Sequence, residues 1–163
     1  PSVLSDPLHA TVVAVFLVLL LTHLPAAYES FRIRNKVAAM MEHANKAKVM
    51  IEAYTLERLS FTQGWVDISP TLGVEIGVDS LTGVITITYP WDIDGGGKTL
   101  TLLPMYLSES KNYPLYTKLN SGIPILLENI KWVCTSKLTR SKSVFINDNL
   151  GTLQSKYAPT ECR

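Results

Sequence analysis

YESFRIRNKVAAMMEHANKAKVMIEAYTLERL, residues 28–59, contains no Gly or Pro and places apolar or small residues at Val37, Met40, Ala44, Ala47, Ile51 and Tyr54, at intervals of 3, 4, 3, 4 and 3. That rhythm predicts one long amphipathic helix. Arg32, Arg34, Lys36, Glu42, Lys46, Lys48, Glu52 and Glu57 fall on its other face, so the apolar stripe needs a surface to cover it.

Upstream, residues 10–21 read ATVVAVFLVLLL without a charge. Widened to residues 8–27, the segment has about 20 residues and no formal charge beyond any on His9 or His23, near the minimum length for a membrane span. Pro25 lies inside it and is expected to kink the helix without ending it. Residues 8–59 therefore predict one nearly continuous helix, about 50 residues and roughly 75 Å long. A secretory signal fits poorly, because residues 1–8 carry Asp6 and no Lys or Arg, and the sequence opens on Pro1 rather than Met. A buried core helix would need a larger and less polar partner than the remaining chain provides. The reading that fits is a helix lying in lipid at one stage and in a protein assembly at another.

Downstream the character changes. Residues 61–77 are rich in turn formers, residues 84–89 (VITITY) alternate as a strand, and Asp94-Gly95-Gly96-Gly97 marks a hairpin connection. Residues 99–103 (TLTLL) predict the returning strand, stopped by Pro104, and residues 106–123 an irregular excursion. A third strand is expected at residues 129–135, with residues 137–163 as a long loop. Antiparallel strands with one polar and one apolar face need a cover, which the helix stripe supplies. The fold class expected is α+β.

The chain has two cysteines, Cys134 in the third predicted strand and Cys162 next to the last residue. Read as a disulfide, they close a loop of about 27 intervening residues, worth roughly 3 to 4 kcal/mol, and pin the C-terminus in an oxidising compartment. The alternatives are two buried thiols or half a metal site, and the three histidines, His9, His23 and His43, all lie far upstream. With 163 residues and a formal net charge of +1, the chain fits one domain plus an appendage and implies no strongly electrostatic partner.

Four stretches in order resemble bacterial type IV pilins, in particular the type IVa-like major pilins. Residues 25–37 (PAAYESFRIRNKV) carry a Pro followed closely by a Tyr, then a basic residue and a Lys-Val pair. Residues 83–89 (GVITITY) are similar to the family's first strand, and residues 97–102 (GKTLTL) with Pro104 to its second. Residues 132–134 (WVC) and 156–163 (KYAPTECR) resemble the two ends of its disulfide-bounded D-region. The resemblance implies the pilin fold: residues 1–27 as the hydrophobic helix half, and residues 28–163 as a globular head. Within the head it implies an amphipathic helix at 28–59, a loop at 60–80, an antiparallel sheet at 81–135 and a D-region at 134–162.

It also implies a mechanical function without cofactors. Subunits wait in the inner membrane, are extracted by an ATP-driven assembly machine, and pack their apolar helices into the core of an extracellular pilus for adhesion, twitching motility or DNA uptake. Val12, Val13, Val15, Phe16, Leu17, Leu19, Leu20 and Leu24 are the expected core-packing residues. Identical subunits are the main partner, with host surfaces, phage or DNA as possible outer ones. A minor pilin, a type II secretion pseudopilin and a pilus-borne adhesive or DNA-binding module share this pattern.

The front of the chain departs from the family, which usually begins with an N-methylated Phe and carries a Glu at mature position five. Pro1 and Ser5 stand here, and counting back from Tyr28 leaves about four extra residues. Asp6 is the nearest acid able to meet a neighbouring amine, since an unpaired carboxylate in an apolar bundle is costly. Its alternative is a solvated turn residue in Ser5-Asp6-Pro7.

No nucleophile elbow, phosphate loop, His-Glu-x-x-His or Cys-x-x-Cys occurs, so no enzyme is expected. Residues 92–97 (DIDGGG) lack the twelfth-position Glu of a calcium loop, and no metal is assigned there. Lys137, Arg140 and Lys142 form a candidate basic patch for DNA or anionic lipid, with a solvated loop as the alternative.

Overall fold

The expected helix forms as α1, Pro7–Leu56, in one run of 50 residues with Pro25 inside it. The structure, a computed structural model, describes residues 7–57, 61, 73–122, 124–139, 141 and 143–163, with backbone alone at 7–9, 22, 23 and 56. Ile33, Val37, Met40, Ala44, Ala47 and Ile51 are buried in the main core. The stripe ends on Thr55 rather than the expected Tyr54: Thr55 is buried and its hydroxyl donates to the Ile51 carbonyl at 2.7 Å, while Tyr54 is only half-buried. A 3,4 rhythm allows either position. Thr is small and can turn its oxygen back onto the helix, so it ends the stripe where a phenol would need a partner.

Among the described residues, five antiparallel strands form the sheet that covers the stripe: β1 (Glu75–Val78), β2 (Ile85–Thr88), β3 (Thr99–Ser108), β4 (Lys111–Pro114) and β5 (Ile130–Thr135). They pair in the order β1-β2-β3-β4, with β5 on β3's other edge. Three strands were expected, and each difference has a physical cause. β1 overlaps the end of the predicted turn-rich stretch, where Val74 and Ile76 are buried and alternate with Gly73, Glu75 and Gly77. β3 does not stop at Pro104. That residue lies between Leu102, the last to pair with β2, and Met105, the first to pair with β4. On that edge no strand needs the missing N–H. The expected irregular excursion holds the β3–β4 hairpin and α2 (Leu115–Leu119). Its turn uses Glu109 and Ser110 at φ of 50° and 63°, in place of the Asn-Gly type that announces such turns.

The sheet is buried on both faces at β3, not on one. Ile85, Ile87, Leu100, Leu102 and Cys134 join the helix side. Val84, Leu103 and Met105 pack on the far side with Ile146 of α3 (Val144–Asp148), which belongs to the C-terminal segment. That segment is thus a second cover rather than a bare loop.

Candidate functional site

Two surfaces bear on function: the uncovered half of α1 and the strapped C-terminal segment. Among residues 12–24 of α1, Val12, Val13, Val15, Phe16, Leu17, Leu19, Leu20 and Leu24 are all exposed, at 38% to 62%. α1 is long and apolar enough to cross a membrane, and the apolar window that passes that test is not buried against the rest of the molecule. A helix apolar all round and bare of cover requires lipid or other protein around it. Pro25 lies within this helix, and Asp6 lies outside the described residues.

The C-terminal segment is held at many points. Cys134 is bonded to Cys162, with Cα atoms 4.5 Å apart. This resolves the open choice between disulfide, free thiols and metal half-site. The Thr139 hydroxyl donates to the Cys162 carbonyl at 2.7 Å, and the Lys137 N–H to the Leu153 carbonyl at 3.0 Å. The Thr101 and Thr135 hydroxyls lie within hydrogen-bond reach of each other and of the Asn149 carbonyl, and their two protons are shared among these three contacts. The Thr152 and Leu153 N–H groups both donate to the Thr99 carbonyl, at 2.8 and 2.9 Å.

Gly151 sits where this segment crosses the sheet. A Cβ there would lie 2.5 Å from the Thr99 carbonyl oxygen and 2.6 Å from that of Thr135, both backbone atoms that cannot swing away. Gly151→Ala is therefore expected to cost about 3 kcal/mol, at the upper end of ordinary overpacking. Thermal unfolding of the full chain in detergent checks this, and an unchanged midpoint contradicts the close crossing.

The β2–β3 connection ties both surfaces together. Lys36 of α1 pairs with Asp92, while Asp94 accepts from the Gln154 side chain at 2.6 Å and its N–H at 3.2 Å. Residues 94–97 all adopt positive φ, which the three glycines permit cheaply. Both Asp92 and Asp94, the carboxylates of the faint calcium pattern, are thus engaged by protein donors. Among the described residues no group of three or more His, Cys, Asp or Glu can hold a metal.

Two carboxyls carry a pH signature. The hydrogen bond from Lys36 holds Asp92 below its ordinary 3.8. The Thr82 hydroxyl, helped by the Thr82 and Leu81 N–H groups, does the same for Asp79. Since both bind protons less tightly folded than unfolded, their stabilisation is complete at neutral pH and is lost as pH falls below about 3.8. The double variant D79N/D92N is expected to lose stability at pH 7 and to show a shallower further loss between pH 5 and 2. Urea midpoints across that range measure it, and parallel curves for variant and parent contradict it.

Of the candidate basic patch, Lys137 is exposed, whereas Arg140 and Lys142 lie outside the described residues. His43 is half-buried on α1. A groove of about 290 Å³ runs beside the disulfide between α1 and the chain end, lined by Lys48, Trp132 and Glu161 among others. There the Trp132 indole N–H donates to Glu52 at 2.7 Å, and burial pushes the Lys48 ammonium down. Sequence reading missed Gly151, the Lys36–Asp92 pair and the Asp94–Gln154 clamp, since each joins residues more than fifty apart or depends on backbone crossing. The triple glycine was the one visible hint.

Comparison with known proteins follows the same lines. Residues 34–163 match the family model of the pilins, described as bacterial filament proteins. A crystal structure of a type IV pilin from Pseudomonas aeruginosa strain Pa110594 is similar at 28% identity and a TM-score of 0.60. The match covers 80% of this chain and 97% of that one. No curated protein matches the chain.

Proposed function

Because the chain belongs to the pilin family of bacterial filament proteins, we propose that it is the repeating subunit, the major pilin, of a type IV pilus. The observation that carries the reading is the exposed apolar half of α1, joined without a break to a half that is covered by its own sheet. Residues 1–27 act as the membrane and filament segment, and residues 28–163 as the head. In the membrane the apolar half lies among lipid tails. In the filament, Val12, Val13, Val15, Phe16, Leu17, Leu19, Leu20 and Leu24 pack against the same segments of neighbouring copies.

Lipid is as apolar as leucine, so the transfer gains little from the hydrophobic effect alone, and close packing between helices supplies the association. Pro25 marks the place where the helix is easiest to bend as subunits enter the bundle. Asp6, near the start of this segment in the sequence, is the candidate acid for a neighbouring amine. The head needs no chemistry. It forms the outer surface, where repetition along the fibre turns weak contacts of the strapped C-terminal segment, Lys137, Arg140 and Lys142 included, into firm adhesion.

Filaments sheared from cells and weighed by quantitative mass spectrometry test the proposal. The chain is expected to be the dominant protein of the fibre. A trace amount, with another pilin making up the body, would make it a minor pilin or pseudopilin instead.

A further inference from the structure

The β2–β3 connection meets α1 at Lys36, a short way beyond the end of its apolar half. Lys36 pairs with Asp92, and Arg32, about one turn earlier, also attracts Asp92. Trp91, next to Asp92, is 82% exposed, more than any other large apolar side chain among the described residues whose exposure is given. Its ring lies against the loop: a Cβ on Gly96 would meet the Trp91 ring at 2.6 Å and its Cα at 2.8 Å.

α1 itself indicates what lies below. Leaving the uncharged residues 10–27, it presents Tyr28 and Phe31, 67% and 55% exposed, with the exposed Glu29 between them ion-paired to Arg32 at 2.6 Å, and then the exposed Arg34. Apolar, then aromatic residues flanking a charged pair, then basic is the order of a helix leaving lipid tails through the interface. From residue 27 to residue 36 is about 13 Å along a helix axis, less when the helix tilts by roughly 20°. The headgroup layer is about 5 to 8 Å deep on each side, which puts Arg32 at its outer edge and the Trp91 loop roughly 5 Å or more beyond it, a gap closed by the reach of an indole side chain and a tilt of the head toward the loop.

We propose that, before assembly, the head rests on the bilayer, with Trp91 inserted at the headgroup level as a second anchor beside α1. The partner is the phospholipid surface that the same helix already enters, so this inference rests on the membrane-held stage proposed above. Two anchors fix both the tilt of the head and its rotation about α1, and extraction into a filament must release both.

The test uses the full chain in vesicles of phosphatidylethanolamine and phosphatidylglycerol, with lipids brominated either near the headgroup end or deep in the acyl chain. Trp91 is isolated by Trp65→Phe and Trp132→Phe, and independently as the difference between the parent chain and Trp91→Phe, which leaves the Trp132–Glu52 contact intact. Trp91 emission is expected to shift to the blue and to be quenched most by the shallow bromines. Water-like, unquenched emission from protein that floats with the vesicles overturns the second anchor while leaving the membrane-held stage standing. Protein that fails to float overturns both. A blue shift without lipid quenching, lost when subunits are diluted to about one per vesicle, assigns the indole to a second copy and also overturns the proposal.

Discussion

Leu17→Asp is expected to abolish filaments while leaving the covered part of the molecule folded. Leu17 is 51% exposed near the middle of the uncharged segment, and the first α1 residue in the main core is Ile33. A carboxylate at the centre of a membrane span costs about 3 kcal/mol, and a dry helix bundle offers it no partner. The penalty recurs at every subunit, so a fibre of many copies is driven to extinction rather than thinned. Leu17→Met, of nearly equal volume, is expected to assemble as the parent does. Electron microscopy of sheared preparations, with circular dichroism of the detergent-solubilised chain, separates the outcomes. Normal filaments from Leu17→Asp would remove the apolar half of α1 from the fibre core.

Removing the disulfide with Cys134→Ala and Cys162→Ala is expected to lower stability by about 3.5 kcal/mol, the chain-entropy value for a loop of this length. The separation of 28 residues sets that figure through the unfolded chain. The folded chain has other restraints: Ile146 packed on Leu103 and Met105, the Asn149 carbonyl gripped by Thr101 and Thr135, and the Thr99 carbonyl holding two N–H groups. The variant should therefore still fold in mild conditions and unfold early. Urea unfolding of parent and variant, each with and without reductant, measures this. A parent whose midpoint ignores reductant, or a variant as stable as the parent, contradicts it.

What could be read in advance followed from local pattern. The 3,4 rhythm from Val37 to Ile51, the uncharged run before it, the alternation at residues 84–89 and the placement of two cysteines each carry their own physics within a few residues. What could not be read depends on partners distant in sequence. Pro104 stops a strand when taken alone, and is tolerated only because β2 ends and β4 begins beside it. The β3–β4 hairpin was hidden because Glu109 and Ser110 hold left-handed conformations that glycine or asparagine usually fill. β3 looked one-sided because the α3 cover comes from residues some forty positions later. Trp91 and Gly151 illustrate the same limit for the functional surfaces. The first matters through its level relative to α1 and the second through two backbone carbonyls, and neither has a signature in its own neighbourhood.

Helical reconstruction by electron cryomicroscopy of filaments sheared from the native cells, with the subunit traced at side-chain detail, tests the central claim most directly. The account predicts a thin fibre whose core is built from residues 10–51 of identical copies, with the Cys134–Cys162 bond and the strapped C-terminal segment on the outside. A fibre body made of another chain, with this one absent or confined to the tip, would contradict it.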